Sequence, residues 1–330
     1  MGSNILPMTL GDMLDKTVRV IGKTILRNAA IAISFLLVPI ILLSVAANSF
    51  YSSMPLGGST PAKDPALLFP MIYHGVYFGA ANLIFAVAAL FAEIAVTIVI
   101  GGEINSQRIG YTEAVKMTFD RRWINGIGEG ILKILILVGA GILMAIFIVI
   151  FAVAGKTSSG SSAWSGLLIV LFASAIVFVM IFMVIRLFFA LTAVAVEDLG
   201  PVEALKKSWF IVSGHWWRTL GILIVFGLLS GLAISIVSAP IMFGSMWSQY
   251  KELFTVIGRT HGQVSPTYFD NFRTGMGRMI GMGTGISSLL SLLLTPAFTV
   301  VMYFDLRARH DDLPGPQPET DNPDVPLVTY

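Results

Sequence analysis

The sequence predicts an all-α, polytopic membrane protein: a bundle of about six transmembrane helices, arranged as three hairpins that each follow a basic amphipathic helix. Three observations predict it. Apolar residues make up 55% of the 330 and charged residues only 12%, about half the charge of a typical soluble domain. Six apolar runs reach the roughly 20 residues that a helix needs to cross the hydrocarbon core. Backbone groups in lipid must bond within their own segment, and the short alternating strands of a β-barrel do not occur, so the runs are helices.

The runs fall at about 28–47, 81–101, 134–154, 167–190, 220–240 and 280–303. A further apolar stretch from Leu67 leads into the second. Residues 1–20 are polar and lack the apolar core of a signal peptide, so the first run serves as the insertion signal. Leu6 stands where a myristoylation motif needs Ser or Thr. Pro39 and Pro296 lie inside spans, where a kink is tolerated. Residues 1–309 read as one membrane domain. Residues 310–330, rich in Pro and acidic side chains, read as a disordered tail.

Orientation follows from the basic residues. Lys16, Arg19, Lys23, Arg27, Arg108, Lys116, Arg121, Arg122, Lys206, Lys207, Arg218, Arg307 and Arg309 flank the spans on one side. Lys63, Lys156, Lys251, Arg259, Arg273 and Arg278 lie on the other. Thirteen against six puts both termini in the cytoplasm, for a protein of the cytoplasmic (inner) membrane.

Three segments on the basic side look alike. Thr112 to Lys116 resembles Val202 to Lys206, and Phe119 falls where Trp209 does, 90 residues on. Asp12 to Lys16 is a looser copy that aligns Arg27 with Arg218. Each reads as an amphipathic helix. Thr9 and Asp12 have capping-box spacing, and Pro201 suits a first helical turn. Basic positions beside aromatic anchors suit a helix in the headgroup plane, facing anionic lipid. The basic sites hug the spans, so the expected partner is the lipid bilayer with its anionic headgroups rather than nucleic acid. No protein partner can be named from the sequence.

Several stretches carry a family resemblance. They are Arg186 to Ala190, Glu197 to Pro201, Glu203 to Trp209 with Ala204 and Ser208, Gly214 to Arg218 with Trp217, and Tyr303 to Arg309 with Asp305 and Arg307. Leu10 to Asp15 and Pro39 also fit. Together they resemble the membrane domain attached to some bacterial glycerophosphoryl diester phosphodiesterases. That resemblance implies an all-helical membrane domain. It does not carry the enzymatic activity, which belongs to a separate soluble barrel with paired histidines and a carboxylate cluster around a metal. The four histidines here, His74, His215, His261 and His310, are scattered across both sides of the expected topology. There are no cysteines. No catalytic, cofactor or metal site is expected.

Two charges stand inside spans. Glu93 lies about 12 Å from the basic end of the second, at 1.5 Å per residue. Arg186 lies about two turns from the same end of the fourth. Pairing would lower an insertion cost of about 2.5–3.5 kcal/mol each. Such a pair is either an ion or proton pathway or a structural bridge with Arg186 snorkelling. Glu129 and Lys133, four apart, read as a structural helical pair. Gly277, Gly281 and Gly285, and likewise Gly227 and Gly231, have the spacing that lets helices approach closely. In the outer loop, 241–275, Trp247, Tyr250, Leu253, Phe254 and Ile257 follow helical spacing and read as an interfacial helix. The functional expectation is a non-enzymatic membrane protein with a scaffold or accessory role. The alternative is a transporter or channel for a small or lipid-like solute, built on Glu93 and Arg186.

Overall fold

The structure, a computed structural model, describes residues 7–54, 68–157, 162–259 and 266–311. These form α1 (Leu10–Ser53), α2 (Leu68–Ile104), α3 (Tyr111–Met117), a π-helical turn (Thr118–Arg122), α4 (Trp123–Thr157), α5 (Ser162–Arg186), α6 (Ala190–Glu197), α7 (Pro201–Val212), α8 (Trp216–Arg259) and α9 (Pro266–Asp311). No strand occurs among the described residues. Among the described residues, six helical stretches are long and apolar enough to cross a membrane. Their outward faces leave Leu37, Val38, Val138, Leu228 and Ile236 more than half exposed, as lipid-facing surface should be. The fold is a multi-pass α-helical bundle.

The helices outrun the expected spans. α1 has 44 residues, so it is about 66 Å long, twice the roughly 30 Å hydrocarbon core. Its amphipathic first third is therefore not a separate interfacial helix but the outer end of the first span. The second amphipathic segment likewise continues through the π-turn into α4. Only the third stands apart. α7 ends at a turn where Gly214 takes φ +80°, a conformation that a Cβ would strain. The expected interfacial helix of the 241–275 loop is also no separate element, because α8 runs unbroken to Arg259. Lys251 Nζ sits there 5.5 Å from the Trp247 ring. The tail beyond Asp311 lies outside the described residues.

The fourth run is broken where the sequence shows no breaker. α5 ends at Arg186 and α6 begins at Ala190. Ser208 of α7 fills the gap: its hydroxyl donates to the Arg186 carbonyl (2.7 Å) and accepts from Phe189 N–H (3.1 Å). One side chain thus satisfies backbone groups that the break would orphan.

The core lies toward one end of the bundle. Phe298, Val300, Val301, Met302 and Tyr303 of α9 are almost wholly buried, so this helix is packed on every side near its C-terminal end. Ile94 to Ile100 of α2 are buried the same way. Phe226 of α8 stacks on Phe298 at 3.7 Å.

The two glycine stripes have different fates. A Cβ on Gly277, Gly281 or Gly285 would come within 2.5, 2.4 and 2.5 Å of Asn48 Cα, Ser44 Cα and Ile40 Cγ2, so α9 lies directly on α1. Around Gly227 and Gly231 nothing among the described residues lies within 4 Å. Close packing is thus found for α9 and not for these two glycines of α8 among the described residues.

Candidate functional site at the charged face

The start of α1, the ends of α2, α6 and α9, and all of α3 and α7 meet at one end of the bundle. The three amphipathic segments begin there with one shared device. Asp12, Glu113 and Glu203 each accept a hydrogen bond from the N–H of the residue three earlier: Thr9, Gly110 and Gly200. Met13, Ala114 and Ala204 follow, all fully buried. Four residues further come Thr17, Thr118 and Ser208, again buried. The internal repeat is thus a repeat of structure.

A clasp recurs in the same register. Arg27 of α1 reaches Glu103 at the end of α2 (2.9 Å) and donates to the Ile109 carbonyl (2.8 Å). Ile109 immediately precedes the cap of α3. Arg218 of α8 reaches Asp305 near the end of α9 (2.7 Å) and donates to the Met8 carbonyl (2.9 Å). Met8 immediately precedes the cap of α1. In both, an arginine opening one span ties the carboxylate closing that hairpin to the entrance of an amphipathic segment. The first clasp holds the second repeat, the third clasp holds the first, and the second repeat meets the third where Gly128 of α4 lies against Pro201 of α7, which closes the ring.

The third clasp is the more elaborate. Asp305 is fully buried. It accepts from Met8 N–H (2.6 Å), Arg218 (2.7 Å) and Arg309 (3.0 Å), and Arg309 also donates to the Met8 carbonyl (2.8 Å). The middle repeat departs from this pattern. The register that gives Arg27 and Arg218 gives Gly128, where a Cβ would meet Pro201 at 2.7 Å. Its carboxylate, Glu197, instead accepts from Tyr303 Oη (2.7 Å) and Arg307 (3.0 Å), with Lys207 at 3.9 Å.

The remaining motif residues have plain positions. Trp209 accepts through its carbonyl from Arg186 (2.9 Å), whose guanidinium lies 4.8 Å from the Trp209 ring. Trp217 is exposed, its ring 4.6 Å from that of Trp216. His215 and His310 come within 5.6 Å of each other, a proximity the sequence reading missed; His261 lies outside the described residues.

The structure does not bring Glu93 and Arg186 together. Arg186 is committed to Trp209 and to the Phe182 ring. The charges that act on Glu93 are Lys133 and Glu129. Lys133 Nζ lies 2.5 Å from Glu129 Oε1, and Glu129 is buried. The expected pair is thereby replaced by a trio on α2 and α4. The reason is positional: a Cβ on Gly126 would meet Ile94 Cδ1 at 2.7 Å, so α4 lies on α2 at this level, whereas Arg186 points to α7.

Between α1 and the turn after α2 lies an open cavity of about 420 Å³, lined by Lys23, Arg27, Glu103, Ser106, Gln107 and Arg108. A second, of about 360 Å³, adjoins it through Lys23 and Glu103. At the start of α1 the Thr9 hydroxyl, and then the Thr9 N–H, hold the Asp12 carboxyl below the usual range. Burial pushes the Lys16 ammonium down. Among the described residues no three or more His, Cys, Asp or Glu side chains gather as metal ligands would.

Fold and face together define a polytopic α-helical membrane protein whose charged end is a ring of clasped amphipathic segments. A family model described as a domain of unknown function (DUF7847) matches residues 17–304, nearly the whole chain, and the protein belongs to that family. No curated protein and no solved structure matches it.

Proposed function

We propose that the protein is a non-enzymatic component of the cytoplasmic membrane with a scaffold or accessory role. Both termini and the charged face lie in the cytoplasm, against anionic lipid headgroups. One observation carries the reading. The motif residues that could suggest chemistry, Ser208, Glu197, Arg218, Asp305 and Arg307, are engaged in joining helices. Exposed cations remain around them for the membrane surface, Lys23 and Arg108 lining the first cavity and half-buried Lys16 the second. The excess of Lys and Arg on this side supports the cytoplasmic orientation. The resemblance to the phosphodiesterase-associated membrane domain supports a supporting role beside other machinery. The test is the composition of the bound lipid shell. Full-length protein in vesicles of mixed phosphatidylcholine and phosphatidylglycerol is released for native mass spectrometry. Enrichment of phosphatidylglycerol above its bulk share is expected, and a shell matching the bulk overturns the reading.

A second reading, transport of a small or lipid-like solute, draws on the Glu93, Glu129 and Lys133 trio, since intramembrane charges mark pathways. Solute or proton flux into proteoliposomes that Glu93→Gln abolishes without unfolding the protein would favour it. Absence of flux, or simple instability of the variant, returns the trio to a structural role.

A further inference from the structure

We infer that the cavity between α1 and the α2–α3 turn is a defined site for a phosphate-bearing anion, and that its occupant is the headgroup of an anionic phospholipid. This rests on the membrane-facing reading above and sharpens it from a diffuse charged surface to one pocket.

The lining holds three cations and one carboxylate. Glu103 does not cancel what the pocket offers, because its oxygens already have partners: Oε2 meets Arg27 at 2.9 Å and Oε1 faces Lys23 at 3.8 Å. Arg27 in turn gives its other nitrogen to the Ile109 carbonyl. One cation, Arg108, is left over, and Lys23 keeps only its long contact with Glu103. The Lys23 side chain is 61% exposed, and Arg108 makes no hydrogen bond or ion pair with the described residues. Ser106 and Gln107 add a hydroxyl and an amide between them. Ser106 adopts φ +61° in the turn that ends α2, where Gln107 N–H donates to the Gly102 carbonyl and Ser106 N–H to the Glu103 carbonyl, an ordinary left-handed helix cap that fixes where these groups stand. A pocket with net charge +2, a hydroxyl and an amide matches a phosphate ester, whose oxygens only accept.

The volume of about 420 Å³ falls within the range of small-molecule sites and accommodates a headgroup. Exposed apolar side chains on the helix that lines the pocket favour the lipid over free phosphate: Leu26 is 84% exposed, and Ile25 and Val18 are exposed too. An acyl chain would lie there while the phosphate entered the pocket.

The test uses the full-length protein in nanodiscs of phosphatidylcholine with graded phosphatidylglycerol. Native mass spectrometry gives the affinity for the first phosphatidylglycerol retained. Lys23→Gln with Arg108→Gln should weaken it about 25-fold, at about fivefold per charge, the equivalent of roughly 1 kcal/mol each. Arg108→Gln alone breaks no contact in the fold and should give about fivefold. Lys251→Gln, outside the pocket, should change nothing. Unchanged affinity in both pocket variants, with no Arg108-dependent phosphate binding in the arm below, overturns the site but leaves general enrichment, and so the proposed function, standing. A wild-type shell without enrichment overturns both. A further arm titrates inorganic phosphate into phosphatidylcholine-only nanodiscs. Phosphate bound with the same Arg108 dependence, while phosphatidylglycerol affinity is insensitive to both variants, would overturn the lipid as occupant.

Discussion

Removing the Asp305 carboxylate should be among the most damaging single changes in this protein. Asp305 is wholly buried and takes hydrogen bonds from Met8 N–H, Arg218 and Arg309 at 2.6, 2.7 and 3.0 Å. Asp305→Ala leaves two guanidinium groups facing each other across a cavity with a stranded N–H. Losing one partner of a buried ion pair costs about 3–5 kcal/mol. The side chains of Arg218 and Arg309 are 27% and 23% exposed, so water relieves part of that penalty and the lower end applies, about 3 kcal/mol. At roughly 2 °C per kcal/mol for a chain of this size, the midpoint should fall by about 6 °C. Tryptophan fluorescence melting of the protein in nanodiscs reads this, since Trp216 and Trp217 open the helix that carries Arg218. A double-mutant cycle with Arg218→Ala should show coupling of about 1–3 kcal/mol. A midpoint within 1 °C of wild type, or strictly additive single effects, would refute the clasp as a stabilising unit.

Other outcomes follow from the same geometry. Gly281→Ala should destabilise by about 1–3 kcal/mol, because its Cβ would meet the Ser44 backbone at 2.4 Å. Gly227→Ala, with open space around it, should be neutral or gain up to about 1 kcal/mol of helix propensity; paired melting curves distinguish the two. Ser208→Ala should cost about 1–3 kcal/mol by stranding Phe189 N–H at the α5–α6 break, with faster amide exchange localised to residues 187–190. The Asp12 carboxyl is held below its usual range by Thr9. Its cap is therefore intact above the ordinary carboxylate pKa and is lost as pH falls through the lowered one. Acidification should thus lower the amide-exchange protection factors of residues 10–13, each measured against the intrinsic rate at that pH, and Thr9→Ala, which removes the hydroxyl but keeps the N–H contact, should reduce that pH dependence.

Much of the fold was legible because lipid imposes a simple rule: about 20 apolar residues in a row. All six runs lie in helices, though the fourth is split. The boundaries were not legible, since an amphipathic segment such as 10–27 joins its span without a breaker that would end the helix. The break after Arg186 was hidden for the opposite reason. Leu187, Phe188 and Phe189 continue the apolar run, and the residue that stabilises the gap, Ser208, comes from another helix. Glycine spacing identified faces able to pack closely but not which would find a partner, so identical patterns on α8 and α9 ended differently. A similar depth for Glu93 and Arg186 was something the sequence could suggest. Which helices are adjacent it could not, and α4 rather than α5 supplies the charges near Glu93. The clasps were half visible. Aligning Arg27 with Arg218 marked their cations, and the matching carboxylates, Glu103 and Asp305, could have been sought at the ends of the paired spans.

Cysteine accessibility tests the central claim, that the clasped ring forms one face on the cytoplasmic side, most directly. The chain has no cysteine, so single substitutions report without background. Asn105→Cys and Lys206→Cys lie at the charged face in the first and third repeats, and Ser52→Cys lies at the far end of α1. Both charged-face cysteines should react with an impermeant maleimide only in inside-out vesicles, and Ser52→Cys only in right-side-out ones. Labelling of Asn105→Cys and Lys206→Cys from opposite sides, or of both from outside, would contradict the account.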